Sequence, residues 1–321
     1  VRCLVTGGSG FFGRHLAVAL VRAGHAVRVA SRSPPDRAAL GWPDAIAWTQ
    51  TDLRNERCDW DALVADCDVV FHLAWTSLPA FSNSEPARDV QENVVSGLRL
   101  LQALSKVPAT KLVFVSSGGY VYGRAPHLPI AEDCPTPPIC AYGLSKLTYE
   151  HYLAIFADTH GLDYRVLRVS NAFGAGQDTS RPQGVVTTFV DRAIKGLPIE
   201  IWGDGSVVRD YVHISDIVAA LVIAGTISPA EMGGHRVFNI GSGAGRSVND
   251  VVDTLRCIGF AVAPTYRSGR FFDVPANILD ISLAARVLKW QPRLSFEEGL
   301  AQTAYDLGWR DEQGEPRRAL G

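Results

Sequence analysis

At 321 residues and 34.7 kDa, with 47% hydrophobic and 20% charged side chains, the chain is long enough to bury one large core or two modest ones. A net charge of -2 and a pI near 6.5 give no electrostatic case for nucleic acid or an anionic membrane, and no apolar run reaches membrane-spanning length. The six cysteines (Cys3, Cys58, Cys67, Cys134, Cys140, Cys257) form no Cys-x-x-Cys pair and have no partnered histidines, which argues against a zinc site or a disulfide framework and suits a reducing cytoplasm.

Val1 to Val5 reads as a buried strand running straight into a glycine turn, not as a signal peptide. The turn, Thr6-Gly7-Gly8-Ser9-Gly10-Phe11-Phe12-Gly13, opens a helical pattern over Phe11 to Arg22. Glycines at 7, 10 and 13 permit a tight bend and a close approach of backbone amides to a pyrophosphate, and the helix start behind them favours negative charge. A glycine triplet alone is only a turn; its place directly after the first strand favours a dinucleotide site. The next strand, Ala26 to Ala30, ends in Ser31-Arg32 with no acid at 30–33. An acid there would hold a ribose 2′-hydroxyl and repel a 2′-phosphate, so the pair tilts the choice toward NADP over NAD. The alternative is a solvated arginine with NAD held by other contacts.

Strands Val69 to His72 and Leu112 to Val115 follow, with helical patterns over Val90 to Leu104 and Ser145 to Asp158 and another strand at Tyr164 to Val169. Such alternation predicts an α/β fold, a Rossmann-type doubly wound parallel sheet. Ser116 and Ser117 close one strand, where a hydroxyl could grip a substrate oxygen or simply form a turn. Tyr142 and Lys146 stand four apart, so on a helix they share a face. A phenol near pKa 10 is a poor base at neutral pH, and a nearby cation favours its ionised form, so the pair suits proton relay beside a hydride carrier.

From Asn171 to Gly205 the pattern lapses into Gly/Pro punctuation. Ile214 to Thr226 is helical again, Val237 to Ile240 reads as a strand, and the remainder mixes amphipathic helices with short strands. The tail 311–321 is charged and reads as a frayed end. The division is a dinucleotide-binding domain over 1–170, to which 211–241 return, and a smaller mixed α/β lobe over 171–210 and 242–321. In that lobe Arg209 and Arg270, the latter near Asp273, could together clamp a diphosphate; singly, each is an ordinary surface or ion-pair residue.

Assembled in this order, the motifs resemble the extended short-chain dehydrogenase/reductase family, and within it the nucleotide-sugar epimerases and dehydratases related to UDP-glucose 4-epimerase. The resemblance runs through residues 6–13, Asp52-Leu53, His72-Leu73-Ala74, Asn93, Ser116-Ser117 with Val121-Tyr122-Gly123, and Tyr142-Gly-Leu-Ser-Lys146. It continues through Arg168 to Asn171, Trp202 to Gly205 with Arg209-Asp210, Phe238 to Ser242, and Arg270 to Pro275. It implies that Gly7, Gly10, Phe11, Phe12, Gly13, Ser31, Arg32, Asp52, Leu53, Leu73, Ala74, Trp75, Asn93 and Ser116 serve the dinucleotide. Asp52 and Leu53 would flank the adenine, and Lys146 would meet the nicotinamide ribose beside Tyr142. Asn171, Val185, Ile199, Arg209, Arg270 and Asp273 would bind the nucleotide-diphosphate sugar. It also implies a homodimer paired through the helices that carry Asn93 and Tyr142.

Three departures stand out. Gly118 occupies the usual catalytic Ser/Thr position, so Ser117 or Ser116 must replace that hydroxyl. Gly119 and Tyr120 stand where sugar dehydratases carry an acidic pair, which disfavours dehydration. Ser31-Arg32 replaces the acid of enzymes that retain NAD. Trp75 and Tyr120 either crowd the sugar pocket or pack in the core. The resulting expectation is a nucleotide-sugar 4-epimerase working through a 4-keto intermediate. An NADPH-dependent 4-keto-sugar reductase is the alternative, and a non-catalytic dinucleotide-binding protein the third reading.

Overall fold

The computed structural model describes residues 1–77, 79–180, 184–268 and 274–310. Seven strands form one parallel sheet: β1 (Arg2–Thr6), β2 (Ala26–Ser31), β3 (Ile46–Gln50), β4 (Val69–His72), β5 (Lys111–Ser117), β6 (Tyr164–Val169) and, after three strands that lie elsewhere, β10 (Val237–Ile240). Their order, β10-β6-β5-β4-β1-β2-β3, reverses direction between β1 and β4. A crevice opens at the carboxyl ends of strands at such a reversal.

The sheet is buried on both faces because its side chains alternate. From β1, Cys3 and Val5 join one core with Leu16, Val29, Phe71 and Val113 under helices Phe11–Arg22 and Ile214–Thr226. Leu4 points the other way, into a second core with Val70, Leu112, Phe114 and Tyr149 under helices Ser96–Leu104 and Ala141–His160.

A smaller unit is built on β9 (Val208–His213), which pairs in parallel with β7 (Asn171–Phe173) and β13 (Ala276–Asn277) and antiparallel with β11 (Gly245–Ser247). A separate parallel pair joins β8 (Glu200–Trp202) to β12 (Thr265–Arg267). Phe173, Phe189, Ile201, Val251 and Leu300 fill a third core. Helix Ile214–Thr226 packs on Phe11–Arg22, and β10 pairs with β6, so this stretch joins the large sheet.

Two expectations need correction. The stretch 171–205 is not irregular throughout: it holds β7, β8 and helix Val185–Ile194, whose Val186, Phe189 and Val190 form a buried stripe at helical spacing. The tyrosine helix begins at Ala141, not Ser145, because Cys140 is extended and no side chain caps it, which leaves no polar start signal to read. The pattern from Val90 also begins as a π-turn, Val90–Val95, before becoming α-helical at Ser96. Arg270, Asp273 and the tail 311–321 lie outside the described residues.

The crossover from β1 to the first helix is the tightest backbone contact at the reversal. Gly7 has φ +68°, and a Cβ there would stand 2.9 Å from the Ala74 backbone. A Cβ on Gly13 would stand 2.5 Å from the Gly8 Cα. Gly13→Ala should therefore cost about 1–3 kcal/mol through backbone displacement. Urea unfolding checks this, and an unchanged midpoint would contradict it.

Candidate active site

The glycine turn forms the floor of the crevice. The Gly10 amide donates to the Gly7 carbonyl at 3.0 Å, and the first helix starts with no side-chain cap and no acid in its first turn. Its leading N–H groups and helix dipole therefore face the crevice uncompensated by side chains. Thr6 ties this floor to the neighbouring loop: its hydroxyl accepts from the Ala74 amide at 3.3 Å and lies 2.9 Å from His72 Nδ1. Burial presses the His72 pKa down to about 3, with Lys146 adding to the effect. The ring is thus neutral. Phe11 and Phe12 are partly buried against the core, with their ring centroids 5.5 Å apart.

At the end of β2 the Ser31 hydroxyl is occupied. It donates to the Ser33 carbonyl at 3.1 Å and accepts from the Trp48 indole at 2.9 Å. Arg32 is exposed. Asp52 receives two guanidinium hydrogen bonds from Arg54, at 2.9 and 2.7 Å, which hold its carboxyl below the usual range. Leu53 packs on the second core, and its carbonyl accepts from Ser96 Oγ.

Asn93 is buried and its amide is fully engaged. Its Oδ1 accepts from the Thr76 amide at 2.8 Å, while Nδ2 donates to Ser77 Oγ and to Asp89. It holds the loop 73–77 in shape, so whatever it does for a ligand passes through that loop. Asp89 was missed by the sequence reading. It is buried and accepts from the hydroxyls of Ser77 and Ser145 as well as from Asn93. That bond clamps the residue immediately before Lys146.

Tyr142 and Lys146 project from the first turns of helix Ala141–His160. The Lys146 ammonium donates to the Val115 carbonyl at 2.7 Å and lies 3.9 Å from the Trp75 ring centroid, 4.7 Å from Phe114 and 5.8 Å from Tyr142. Burial drags its pKa down to about 7, partly opposed by Glu150 and Asp89. The Tyr142 phenol moves the other way, above the ordinary tyrosine value, through burial first and then Tyr120, Cys140 and Asp89. In the protein without a dinucleotide, burial of the phenol dominates over the neighbouring cation.

The two candidate serines separate cleanly. Ser116 is buried, and its hydroxyl donates to Glu150, which pairs with Arg168 at 2.6 Å. Arg168 in turn donates to the Tyr122 hydroxyl at 2.9 Å, and Tyr122 donates to Asn239 at 2.7 Å. Ser116 thus belongs to a buried polar chain linking β5, β6 and β10. Ser117 is half-buried at the end of β5, nearer the crevice. A side chain at Gly118 would displace Leu279: a Cβ would stand 2.5 Å from Leu279 Cδ1 and 3.1 Å from the Arg168 carbonyl. Asn277, also missed, donates to the Gly118 carbonyl at 3.2 Å, and its Oδ1 is buried with no hydrogen-bond partner.

In the smaller unit Asn171 donates to the Asp210 carbonyl at 3.3 Å. Arg209 reaches the Val274 carbonyl at 2.7 Å, close to where the chain leaves the described residues. Val185 starts its helix half-buried, and the Ile199 side chain is buried in the third core. Asp210 is a buried hub that accepts from the Ser242 amide and hydroxyl, both at 2.7 Å, and from the Leu279 amide. It joins the segment that follows β10 to the segment that follows β13. Among the described residues no group of His, Cys, Asp and Glu side chains could hold a metal, and no helix is long and apolar enough to cross a membrane.

Comparison with known proteins agrees with this geometry. Residues 3–241 match the model of the NAD dependent epimerase/dehydratase family. A UDP-glucose 4-epimerase from Mycolicibacterium smegmatis is 34% identical over 310 residues, covering 94% of this chain and 97% of that protein. A dTDP-4-dehydro-6-deoxyglucose reductase from Escherichia coli is 30% identical over 317 residues, covering 92% and 94%. The crystal structure of UDP-glucose 4-epimerase from Thermotoga maritima with UDP-glucose superposes with a TM-score of 0.88 at 35% identity, over 95% of this chain and 98% of that one.

The low Lys146 pKa has a measurable consequence in the dinucleotide-free protein. Between about pH 7 and the ordinary lysine value of 10.5, the unfolded chain still binds the proton that the folded protein has lost, so stability rises with pH across that window. Below it both states are protonated and the penalty is constant. Urea titrations from about pH 6 to about pH 9 should show a slope in wild type that Lys146→Met reduces. Equal slopes would contradict the assignment.

Proposed function

The chain belongs to the NAD dependent epimerase/dehydratase family, and we propose that it is a UDP-hexose 4-epimerase that keeps its dinucleotide through the cycle. The observation that carries this reading is the site itself. The Tyr142 phenol and the Lys146 ammonium flank the end of β5, beside a glycine floor at the sheet reversal, and no carboxylate stands in the turn Gly118-Gly119-Tyr120. Elimination of water needs an acid and a base beyond the tyrosine, so the turn speaks against dehydration.

The floor fits a dinucleotide: the space a Cβ at Gly7 would fill is backbone, and the uncapped helix start suits a pyrophosphate. In this reading Gly7, Gly10 and Gly13 admit the pyrophosphate, Asp52 and Leu53 flank the adenine, and the loop 73–75 lines the path to the nicotinamide. NAD is favoured over NADP, because Trp48 and Ser33 already engage the Ser31 hydroxyl and leave Arg32 as the sole feature tilting toward a phosphate. Bound NAD supplies a reversible hydride acceptor and a positive ring near the phenol. Tyr142 takes the proton of the sugar 4-hydroxyl as the C4 hydride departs, and returns it after the 4-keto sugar has turned its other face. Lys146 would hold the nicotinamide ribose, and its charge would favour the ionised phenol. Ser117 holds the C4 oxygen. Arg209, Asn171 and the backbone near Ile199 receive the nucleoside diphosphate, with 171–210 and 242 onward forming the substrate lobe.

We also propose a cytoplasmic homodimer. Val90, Leu144 and Ile155 are exposed apolar side chains on packed neighbouring helices, and a copy-to-copy contact there would cover them. A second reading, a 4-keto-sugar reductase, draws on the Escherichia coli relative and on Arg32.

Tyr142→Phe should lower kcat for UDP-glucose/UDP-galactose interconversion by about a thousandfold, and Ser117→Ala by about tenfold to a hundredfold, each with little change in UDP affinity. A Tyr142→Phe enzyme with near wild-type kcat would remove the phenol from the mechanism.

A further inference from the structure

Within the epimerase reading just given, we propose that Tyr120 is the aromatic wall of the hexose subsite, the side chain against which the sugar ring packs while Tyr142 works at C4. The turn after β5 aims it there. Val121 and Tyr122, its immediate successors, are both 0% exposed, whereas Tyr120 is 36% exposed. The Tyr120 amide donates to the Ser117 carbonyl at 3.4 Å. Its own carbonyl would stand 2.5 Å from a Cβ at Gly143, so the turn is seated on the first turn of the tyrosine helix and has little latitude.

The ring stands edge-on to Tyr142, with centroids 5.5 Å apart and planes at 78°. At that separation the two rings are in van der Waals contact. A sugar hydroxyl hydrogen-bonded to the Tyr142 phenol therefore arrives with its pyranose ring beside Tyr120. A hexose offers a C–H face that packs on an aromatic surface and hydroxyls that reach a phenol, so a half-exposed tyrosine suits both parts. Trp75 and Phe114, also near the site, lie 3.9 and 4.7 Å from the Lys146 ammonium and are taken up in holding that cation. Within Gly118-Gly119-Tyr120, Tyr120 is the only residue with a side chain, so the sugar's contacts with this turn beyond its backbone fall to it.

The test separates sugar from nucleotide. Wild type, Tyr120→Phe and Tyr120→Thr are titrated calorimetrically with UDP and with UDP-glucose, and their KM and kcat for UDP-glucose are measured. Tyr120→Thr should raise the UDP-glucose dissociation constant and KM by about tenfold while the UDP affinity stays within about twofold, and Tyr120→Phe should restore most of the loss. Unchanged UDP-glucose binding in Tyr120→Thr would overturn the proposal. So would an equal loss for UDP, because that pattern marks a distorted turn and not a sugar contact. Failure of the wild type to interconvert UDP-glucose while still binding it would count against the epimerase reading alone, and the binding comparison would still decide the role of Tyr120.

Discussion

The site depends on one close approach. The turn that follows β5 lies against the start of helix Ala141–His160 so tightly that Gly143 faces the Tyr120 carbonyl and Gly123, at φ +57°, faces the Pro137 carbonyl, with no space for a Cβ at either. This contact brings the phenol of Tyr142 next to the end of a strand that belongs to the rigid sheet. Geometry for hydride and proton transfer tolerates errors of well under 1 Å, so a catalytic helix must be fixed to the strand it works beside. Backbone contact fixes it more stiffly than long side chains could.

A second layer of buried polar groups holds that seam from behind. Glu150 lies two turns along the same helix from Tyr142 and pairs with Arg168 on β6, and both side chains are more than nine-tenths buried. The pair is embedded in hydrogen bonds from Ser116 and to Tyr122, which offset its desolvation. Asp89 does the same on the other side through Ser145. Lys146 sits between these two carboxylates, yet burial still lowers its pKa to about 7. The protein alone thus keeps an ammonium of marginal charge parked on a carbonyl and an aromatic face, and a phenol reluctant to ionise. A cationic ring beside the phenol would favour its ionised form.

Much of this was legible in the sequence for definite physical reasons. Buried parallel strands are continuous apolar runs, so β1, β2, β4, β5, β6 and β10 announced themselves, and the glycine turn after β1 located the crevice. Tyr142 and Lys146 carried a helical spacing that the structure retains. The polar support was hidden, because a buried carboxylate such as Asp89 or Asp210 looks like any surface acid until partners such as Ser145 and Ser242, 56 and 32 positions away, are folded onto it. For the same reason the sequence left Ser116 and Ser117 equivalent, and burial together with the Glu150 contact distinguishes them. The upward push of burial on the Tyr142 phenol could not be read from the sequence, because spacing along a helix reports proximity and says nothing of desolvation. Arg270 and Asp273 fall outside the described residues, so the second half of the expected diphosphate clamp rests on the sequence alone.

The central claim is a redox-neutral cycle in which the hydride taken from C4 is returned to the same carbon. The most direct measurement follows UDP-glucose carrying deuterium at C4, incubated with the purified protein and no added dinucleotide, by mass and NMR. The account predicts UDP-galactose with the deuterium still at C4. Loss of the label to solvent, or turnover that proceeds only with stoichiometric consumption of added NADPH, would contradict it.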